Sequence, residues 1–435
     1  MEGSASRLNI FVAPVPNRPL IALMTPVNRV LMLKGMPLLR DLPPFNRIPG
    51  CRGVTNVREV DFPQADRDRL SAVCGQGMAT FLTPNHPEFF TDWMIDKQIV
   101  SKVAPLAASW ATNGVVNGLG RLAQKFWLAN NLIAQIPGNS DAARDHSVGW
   151  AAQGHGVLLH PEGAVGWHGD WVAPLMPGAA EMALEALERG RAADPAFRAF
   201  VAPMVWKLVF LRDVEAELLA ECAYVERRLK IAAPPAGADP AGRVHAIYAA
   251  LLARDEEAAG VVPDEARPFP ARLEASVSIK KAELADLVGS PDGETADLPR
   301  AARRWLRETT GTTPEAAGRV KATAEALQRL MRLGPFAWAR DRMTQEEAAE
   351  HIKRIRNDYC AGTFRDTLNR FVPQPAGPRR AIIRVPEPIA VHDFAGDAAA
   401  LTAELRRRLQ AALDAINAGL RAGGGLRDYS NPFAG

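Results

Sequence analysis

The octapeptide Asn85-His86-Pro87-Glu88-Phe89-Phe90-Thr91-Asp92 sets an imidazole and a carboxylate apart by five residues, across what reads as a loop running into a helix. If the chain turns into that helix near Phe89, Asp92 folds back beneath the His86 ring. There it fixes the tautomer and stabilises the imidazolium that forms when the other ring nitrogen takes a proton. A neutral imidazole near its ordinary pKa suits general-base work around neutral pH, and such a pair activates a substrate hydroxyl without a protein nucleophile. Alone the spacing carries little, because a histidine followed by a carboxylate arises often by chance and the aspartate can simply cap the helix.

A second polar group follows a second short apolar run. His160-Pro161-Glu162-Gly163 precedes Pro174-Leu175-Met176-Pro177-Gly178-Ala179 and a helix rich in small residues. A glycine beside a carboxylate lets a substrate approach the backbone, and Glu162 can accept hydrogen bonds from hydroxyls. The plainer reading of Glu162 is a turn carboxylate satisfied by local backbone.

In order and spacing these elements resemble the PlsC-like glycerolipid acyltransferases, the lysophospholipid and glycerol-phosphate acyltransferase superfamily. That family carries an Asn-His motif ending in Asp, then Pro-Glu-Gly, then a Pro-rich Gly-Ala segment opening a helix. Val201-Ala202-Pro203 resembles its final strand motif, and the five residues between His86 and Asp92 resemble a bacterial branch more than the commoner version with four. The resemblance spans roughly Ala79 to Pro203 plus a returning strand near Val385. It implies His86 as general base, Asp92 as its orienting carboxylate, and Asn85, Pro161, Glu162 and Gly163 around the acceptor. It also implies an acyl donor, acyl-CoA or acyl-carrier protein, and a glycerolipid or related lipid acceptor, with an apolar tunnel for the acyl chain and no metal or redox cofactor.

Two departures bear on the acceptor. Many members carry a phosphate-binding arginine between the first two motifs, where this chain reads Asn131-Leu132-Ile133-Ala134-Gln135-Ile136-Pro137-Gly138-Asn139; Arg121, Lys125 and Arg144 are the substitutes at hand. The family's Thr-Arg after Pro-Glu-Gly is replaced by Ala164-Val165, so a neutral or differently charged lipid hydroxyl stays open as acceptor. The alternative function is a non-catalytic lipid-binding or scaffolding protein on the same fold. A serine hydrolase lacks its Gly-x-Ser-x-Gly elbow. His155, His160 and His168 invite a metal reading, but their spacing puts no two on one helix face and no Cys or carboxylate completes the set in sequence. Trp167 and Trp171, beside His168-Gly169-Asp170, form an aromatic loop that suits either an acyl chain or ordinary packing.

These residues need a sheet to present them. Met78–Thr83 reads as a short buried strand delivering Asn85 and His86 past its carboxyl end, where open α/β sheets place their ligand crevice. Gly156–His160 reads as a second strand and Val201–Phe210 as another, while Phe90–Ala111, Gly120–Gln135 and Pro177–Arg189 have helical character. From Val214 to about Asn369 the pattern is charged, Ala-rich and helical, broken at Pro234–Gly242, Val262–Pro270 and Ser290–Pro299. Thr344-Gln345-Glu346-Glu347 has capping-box spacing and opens a helix carrying Ala348, Ile352 and Ile355 inward, with Lys353, Arg354 and Arg356 on a solvated face. Ala381–Val385, after Pro373-Gln374-Pro375, and the amphipathic run Leu401–Leu420 cannot bury their apolar faces alone, so they are expected to complete the first sheet. The expected class is α/β, a glycerolipid-acyltransferase-like sheet flanked by helices with a large, mostly helical insertion. Its parts are an N-terminal, membrane-contacting segment (1–60), a core (61–213), the insertion (214–372), a returning strand and helix (373–425) and a flexible tail (426–435).

With 435 residues and 47% hydrophobic content the chain can bury a large core. Charge is nearly balanced, 52 Lys+Arg against 49 Asp+Glu, so no global field argues for a nucleic-acid partner. Cys51, Cys74, Cys222 and Cys360 form no CxxC pair or disulfide framework, and no basic, apolar leader opens the chain, so a cytoplasmic setting is expected. Even the most apolar stretch, Leu20–Leu39, holds Pro26, Asn28, Arg29, Lys34 and Pro37, too many interruptions for a membrane span. It can lie in an interface, with Leu23, Met24, Leu31, Met32, Met36 and Leu38 inserted and Arg29, Lys34 and Arg40 near headgroups, on the inner face of a membrane. It can equally pack as a hairpin on the protein's own core.

Overall fold

The computed structural model describes residues 11–136, 140–166, 168–235, 237–289, 298–309, 312–371, 375–425 and 427–434. It forms two compact units, Met1–Asp213 with Thr363–Leu426, and Val214–Gly362 with Arg427–Gly435. Helix α1 (Arg18–Val27) is followed by β1 (Val57–Asp61), α2 (Gln64–Ser71), β2 (Met78–Pro84), α3 (Thr91–Val103), β3 (Ala108–Thr112) and α4 (Arg121–Ala129). Then come β4 (Leu132–Gln135), α5 (Asp141–Ala152), β5 (Val157–Leu158), α6 (Gly178–Ala193) and β6 (Arg198–Phe210). The second unit supplies α7 (Glu215–Leu229), α8 (Pro240–Ala258), α9 (Phe269–Val288), α10 (Leu298–Glu308), α11 (Pro314–Met331), β7 (Arg342–Thr344) and α12 (Gln345–Tyr359). The chain returns with α13 (Phe364–Phe371), β8 (Arg379–Arg384), β9 (Ile389–Ala390) and α14 (Ala398–Ala422), and β10 (Asp428–Ser430) pairs with β7.

The first unit is α/β. Its mixed sheet has eight strands in the order β1-β8-β6-β2-β5-β3-β4, with β9 on β6. Strands β2 to β6 run parallel, and β8 runs antiparallel to β6 and parallel to β1. Parallel strands need helical crossovers that cover both faces, which is why β2 is mostly apolar, with Thr80 and Thr83 its only polar residues, and is buried at every position after Met78. Side chains alternate between two cores. Phe81, Val201, Val205 and Val209 face α5, α6 and α14, whereas Leu82, Phe200, Ala202, Met204 and Trp206 face α2 and α3. Helix α14 joins the first core through Leu401, Leu405, Leu409, Leu413, Ile416 and Leu420, one stripe at helical spacing. The returning strand and helix thus complete the sheet.

Two expectations are corrected here. Phe90–Ala111 and Gly120–Gln135 are helical only over α3 and α4, because β3 and β4 occupy their last residues. Runs of four or five apolar residues abutting a helix cannot be told from it by periodicity, and Ala108-Ser109-Trp110-Ala111 lacks the β-branched residues that mark a strand.

The second unit is helical apart from β7 and β10. Its capping box is formed: Thr344 N–H donates to Glu347 Oε2 at 2.7 Å and Glu347 N–H to Thr344 Oγ1 at 3.1 Å. Ala348, Ile352 and Ile355 are buried as the pattern required, but Lys353, Arg354 and Arg356 are not on a solvated face, being 9%, 2% and 5% exposed. Helix α12 is packed by α7 on one side and α8 on another. Arg356 donates to Glu221 at 2.8 Å and lies over the Tyr224 ring, and Arg354 lies over Phe336, so partners replace water around the guanidinium groups.

Pro137-Gly138-Asn139, Trp167, Ser290–Thr295 and most of Ser290–Pro299, Pro373-Gln374 and the outermost termini lie outside the described residues. Among the described residues no helix is long and apolar enough to cross a membrane.

Candidate active site

Strands β2 and β5 lie in register, Leu82 opposite Leu158, and Leu159 N–H donates to the Leu82 carbonyl at 3.0 Å. Both strands therefore end at one edge of the sheet and deliver His86 and His160 side by side. Asn85 turns the chain there. Its side chain accepts from Trp206 N–H and donates to Trp206 O, both at 3.0 Å, and it is 1% exposed. Expected at the substrate, Asn85 instead braces the corner against β6, because a buried amide must satisfy its donors and acceptors nearby.

The turn into α3 is strained. Phe90 has φ +69° and ψ −46°, and Thr91 N–H donates to Phe89 O at 2.9 Å, a positive-φ γ-turn that costs an L residue on the order of 1–3 kcal/mol. It reverses the chain so that the first turn of α3 begins beneath His86. Holding it is a buried, bidentate pair: Arg379 donates to the two Glu88 oxygens at 2.8 and 3.0 Å, and to Thr55 O at 2.7 Å.

His86 Nδ1 lies 2.5 Å from Asp92 Oδ2, whose other oxygen accepts Trp93 N–H at 2.6 Å. The His86 side chain is 16% exposed and that of Asp92 4%. This contact turns Nδ1 to the Asp92 carboxylate, which favours the tautomer protonated at Nδ1 and leaves Nε2 as the atom able to take a proton from a bound hydroxyl. Burial, with the charge of His160, holds the His86 pKa below its ordinary value against the opposing pull of Asp92.

Glu162 closes the site from the other strand. Its Oε1 accepts His86 N–H at 2.6 Å and its Oε2 accepts Ala173 N–H at 3.0 Å; burial raises its pKa against these two bonds. The plainer reading, a carboxylate satisfied by backbone, is the one the geometry favours: Glu162 ties the two motifs together rather than presenting free oxygens to an acceptor. Pro161 is buried and its carbonyl accepts Met176 N–H at 2.8 Å. Gly163 is exposed with φ +70°, and a Cβ there would sit 2.3 Å from Met176 Sδ. Gly163→Ala is expected to destabilise the first unit by about 1–2 kcal/mol, since a left-handed backbone disfavours any L side chain and the Met176 tip must also shift. Urea unfolding checks this, and an unchanged midpoint would mean that the turn relaxes freely.

His160 is placed at the site more intimately than its motif implied. Its ring stacks on His86 with centroids 4.0 Å apart and planes 22° apart, and its Nε2 is 3.2 Å from Asp96 Oδ2. Neither Asp96 nor this use of His160 was read from the sequence. The available signal was the spacing of Asp92 and Asp96, four residues apart on one helix face. The histidine set considered for a metal is not assembled, since His155 packs on Trp150, but His160 does gain carboxylates that α3 brings from a distant part of the chain. Ligand atoms of His86, Asp92 and His160 lie within 4.8 Å of one another. They face each other's protons: His86 Nδ1 is on Asp92, and His160 Nδ1 is 3.1 Å from the Asn85 carbonyl. That arrangement suits proton handling better than ligation, which needs lone pairs aimed at one point.

The phosphate candidates do not converge on the dyad. Arg144 is held by Glu181 at 2.9 Å and Glu185 at 3.8 Å. Arg121 and Lys125 are exposed on α4, which precedes β4 at the sheet edge three strands from β2. Trp171 lies under Arg406. Among the described residues of this unit, two clefts of about 770 and 670 Å³ are lined by β8 with α14 and by α1 with Cys74-Gly75 and the end of α3; neither includes His86, Asp92 or His160, so neither is the acyl tunnel expected at the dyad. What the arrangement can do is accept a proton at a partly open imidazole, backed by a buried carboxylate. A scan of the chain against protein-family models gives no match, and no curated protein matches it either.

Proposed function

We propose that the chain is an O-acyltransferase of the PlsC-like kind, moving a fatty acyl group from acyl-CoA or acyl-carrier protein to a hydroxyl of a glycerolipid or related lipid. The observation that carries the reading is the His86–Asp92 contact at 2.5 Å at the carboxyl ends of parallel strands, tied through Glu162 to the Pro-Glu-Gly turn. In this reading His86 Nε2 takes the acceptor hydroxyl proton as the oxygen bonds to the thioester carbonyl carbon. The tetrahedral oxyanion then collapses, the C–S bond breaks, and the thiolate leaves with the proton held by His86. No protein nucleophile enters.

The experiment is thiol release from acyl-CoA by purified protein, with and without mono- and diacyl glycerolipid acceptors, and mass spectrometry of the lipid product. Acceptor-dependent release abolished in His86→Ala supports the reading. No release by the wild type, with lipid co-sedimentation unchanged in the His86→Ala, Asp92→Ala double variant, would favour the non-catalytic lipid binder, a reading to which the backbone-committed Asn85 and Glu162 lend some weight.

We place this activity at a membrane surface. In the N-terminal segment Leu33 is core and Asn28 is tied to Met94 O at 2.8 Å, so that part packs inward, and Met24, Leu31, Met32 and Met36 are half-buried. Leu23, Leu38 and Leu42, however, are 62%, 84% and 55% exposed. Arg29 and Arg40 lie close enough to Lys34 that, after burial, they lower its amine pKa. An apolar rim with clustered cations suits an anionic lipid interface. Leu38→Glu with Leu42→Glu is expected to weaken sedimentation with phosphatidylglycerol vesicles at least tenfold; equal binding would remove this face from the proposal.

A further inference from the structure

We infer that His160 and Asp96 form a second imidazole–carboxylate pair, stacked on the first, whose task is to hold His86 in its neutral, proton-accepting form. The inference rests on the acyl-transfer reading only for what His86 then does with a proton. Its basis is geometric. A carbonyl oxygen only accepts, so His160 Nδ1, 3.1 Å from Asn85 O, carries a hydrogen. His160 Nε2 approaches Asp96 Oδ2 at 3.2 Å and Asp92 Oδ2 at 4.0 Å, ion-pair distances rather than an aligned hydrogen bond, and two carboxylates at this range favour the ring that carries a second hydrogen there. A ring protonated at both nitrogens is a cation, and it lies face to face with His86 at 4.0 Å.

Two stacked imidazoles resist sharing two positive charges, because like charges at this range disfavour the second protonation. The groups around them decide which ring is charged. His86 faces Asp92 from α3 and His160 from the turn after β5, with Glu162 on its backbone N–H. His160 faces Asp96 and Asp92, with Glu162 near, and Asp96 in turn faces His160, Asp92 and Lys97. Glu162 also senses Arg406. His160 thus has two carboxylates and a carbonyl, His86 has one carboxylate and a neighbouring cation. The directions agree: burial opposes charge on both rings, but the close Asp96 contact and the carboxylate charges outweigh it at His160, which is raised, while His86 is lowered. Burial raises Asp96 against the attraction of His160.

The division of labour follows. One face of α3 supplies Asp92 to one ring and Asp96, a turn later, to the other. Asp92 alone would pull the His86 pKa upward and trap the base as imidazolium in mild acid; the cation beside it offsets that pull. Both His160 nitrogens are turned to protein atoms, so it is a positioning residue and touches no substrate.

The test is an NMR titration of the imidazole Cε1–H resonances in the full-length protein, assigned with His86→Gln and His160→Gln, which needs no turnover. In the wild type His160 is expected to be charged and His86 neutral at pH 7. His160→Phe, which keeps a flat ring, and Asp96→Asn, which keeps the shape, are each expected to raise the His86 midpoint by about one pH unit. Where acyl transfer is measurable, the acid limb of kcat/KM moves up equally, with kcat on the alkaline plateau changed only a few-fold; a purely structural role lowers the rate at every pH without moving the limb. Finding His160 neutral at pH 7 in the wild type, or an unmoved His86 midpoint in a folded variant, overturns the pair's role, and the wild-type titration decides even if the variants do not fold. Absence of acyl transfer together with a charged His160 and a shifted His86 would instead defeat the functional reading and leave the pair standing.

Discussion

His86→Ala is expected to lower kcat for thioester-dependent acylation by roughly 10²–10⁴-fold, the range a positioned general base contributes. KM for the acyl donor should change little, because the imidazole meets the acceptor proton and not the donor's carrier. Asp92→Asn should fall in the same range although its shape is nearly unchanged. An amide that can donate toward Nδ1 stabilises the tautomer whose proton sits on Nε2, where the base is needed, and it cannot stabilise an imidazolium. The pH profile adds a sign. His86 must be unprotonated to act, so the rate falls as pH drops through its pKa, and burial with the neighbouring charge places that fall below the ordinary imidazole value of 6.5. Initial rates in a series of buffers would show it. Full activity in His86→Ala, or an acid limb lying above 6.5, would contradict the assignment.

Arg379→Met is expected to destabilise the first unit by about 3–5 kcal/mol, the usual result of stripping one partner from a buried ion pair. The Arg379 and Glu88 side chains are 6% and 10% exposed, so Glu88 would be left charged without solvent. Thr91 Oγ1 donates to Glu88 and cannot replace a guanidinium. Combining Arg379→Met with Glu88→Gln should recover a large part of the loss, since no net charge then remains buried. Urea unfolding of the single and double variants separates the outcomes; a single variant as stable as the wild type would show that water reaches Glu88. Because this pair clamps the strained turn at Phe90, the single variant should also lose activity before it loses its fold.

Strands β2, β5, β6 and β8 and the spacing of the dyad are legible because their signals are local. Met78–Pro84 and Val201–Phe210 are predominantly apolar, broken only by Thr80, Thr83 and Lys207, and His86 and Asp92 belong to one short turn. What the sequence hid was everything that depends on who becomes whose neighbour. Asp96 carries no signal beyond its four-residue spacing from Asp92, and Glu88 gives no sign that its partner lies 291 residues away. Lys353, Arg354 and Arg356 looked solvated because charge pattern alone cannot reveal that α12 is packed on more than one side. Asn85 and Glu162 were read as substrate ligands from their motifs, whereas their hydrogen bonds go to backbone across strands whose pairing no linear pattern specifies. Strands β3 and β4 were lost because they are short and adjoin helices.

The position of α14 has a consequence for synthesis. Its leucines cover one side of a sheet whose β2, β5 and β6 were made long before, with Val214–Gly362 of the second unit translated in between. A ribosome that has released the chain only as far as Phe210 therefore holds an incomplete interior, with Val201, Val205 and Val209 waiting for a lid encoded beyond Gly362. During that interval those valines are apolar surface open to a foreign partner, the general hazard of a large chain whose interior closes late.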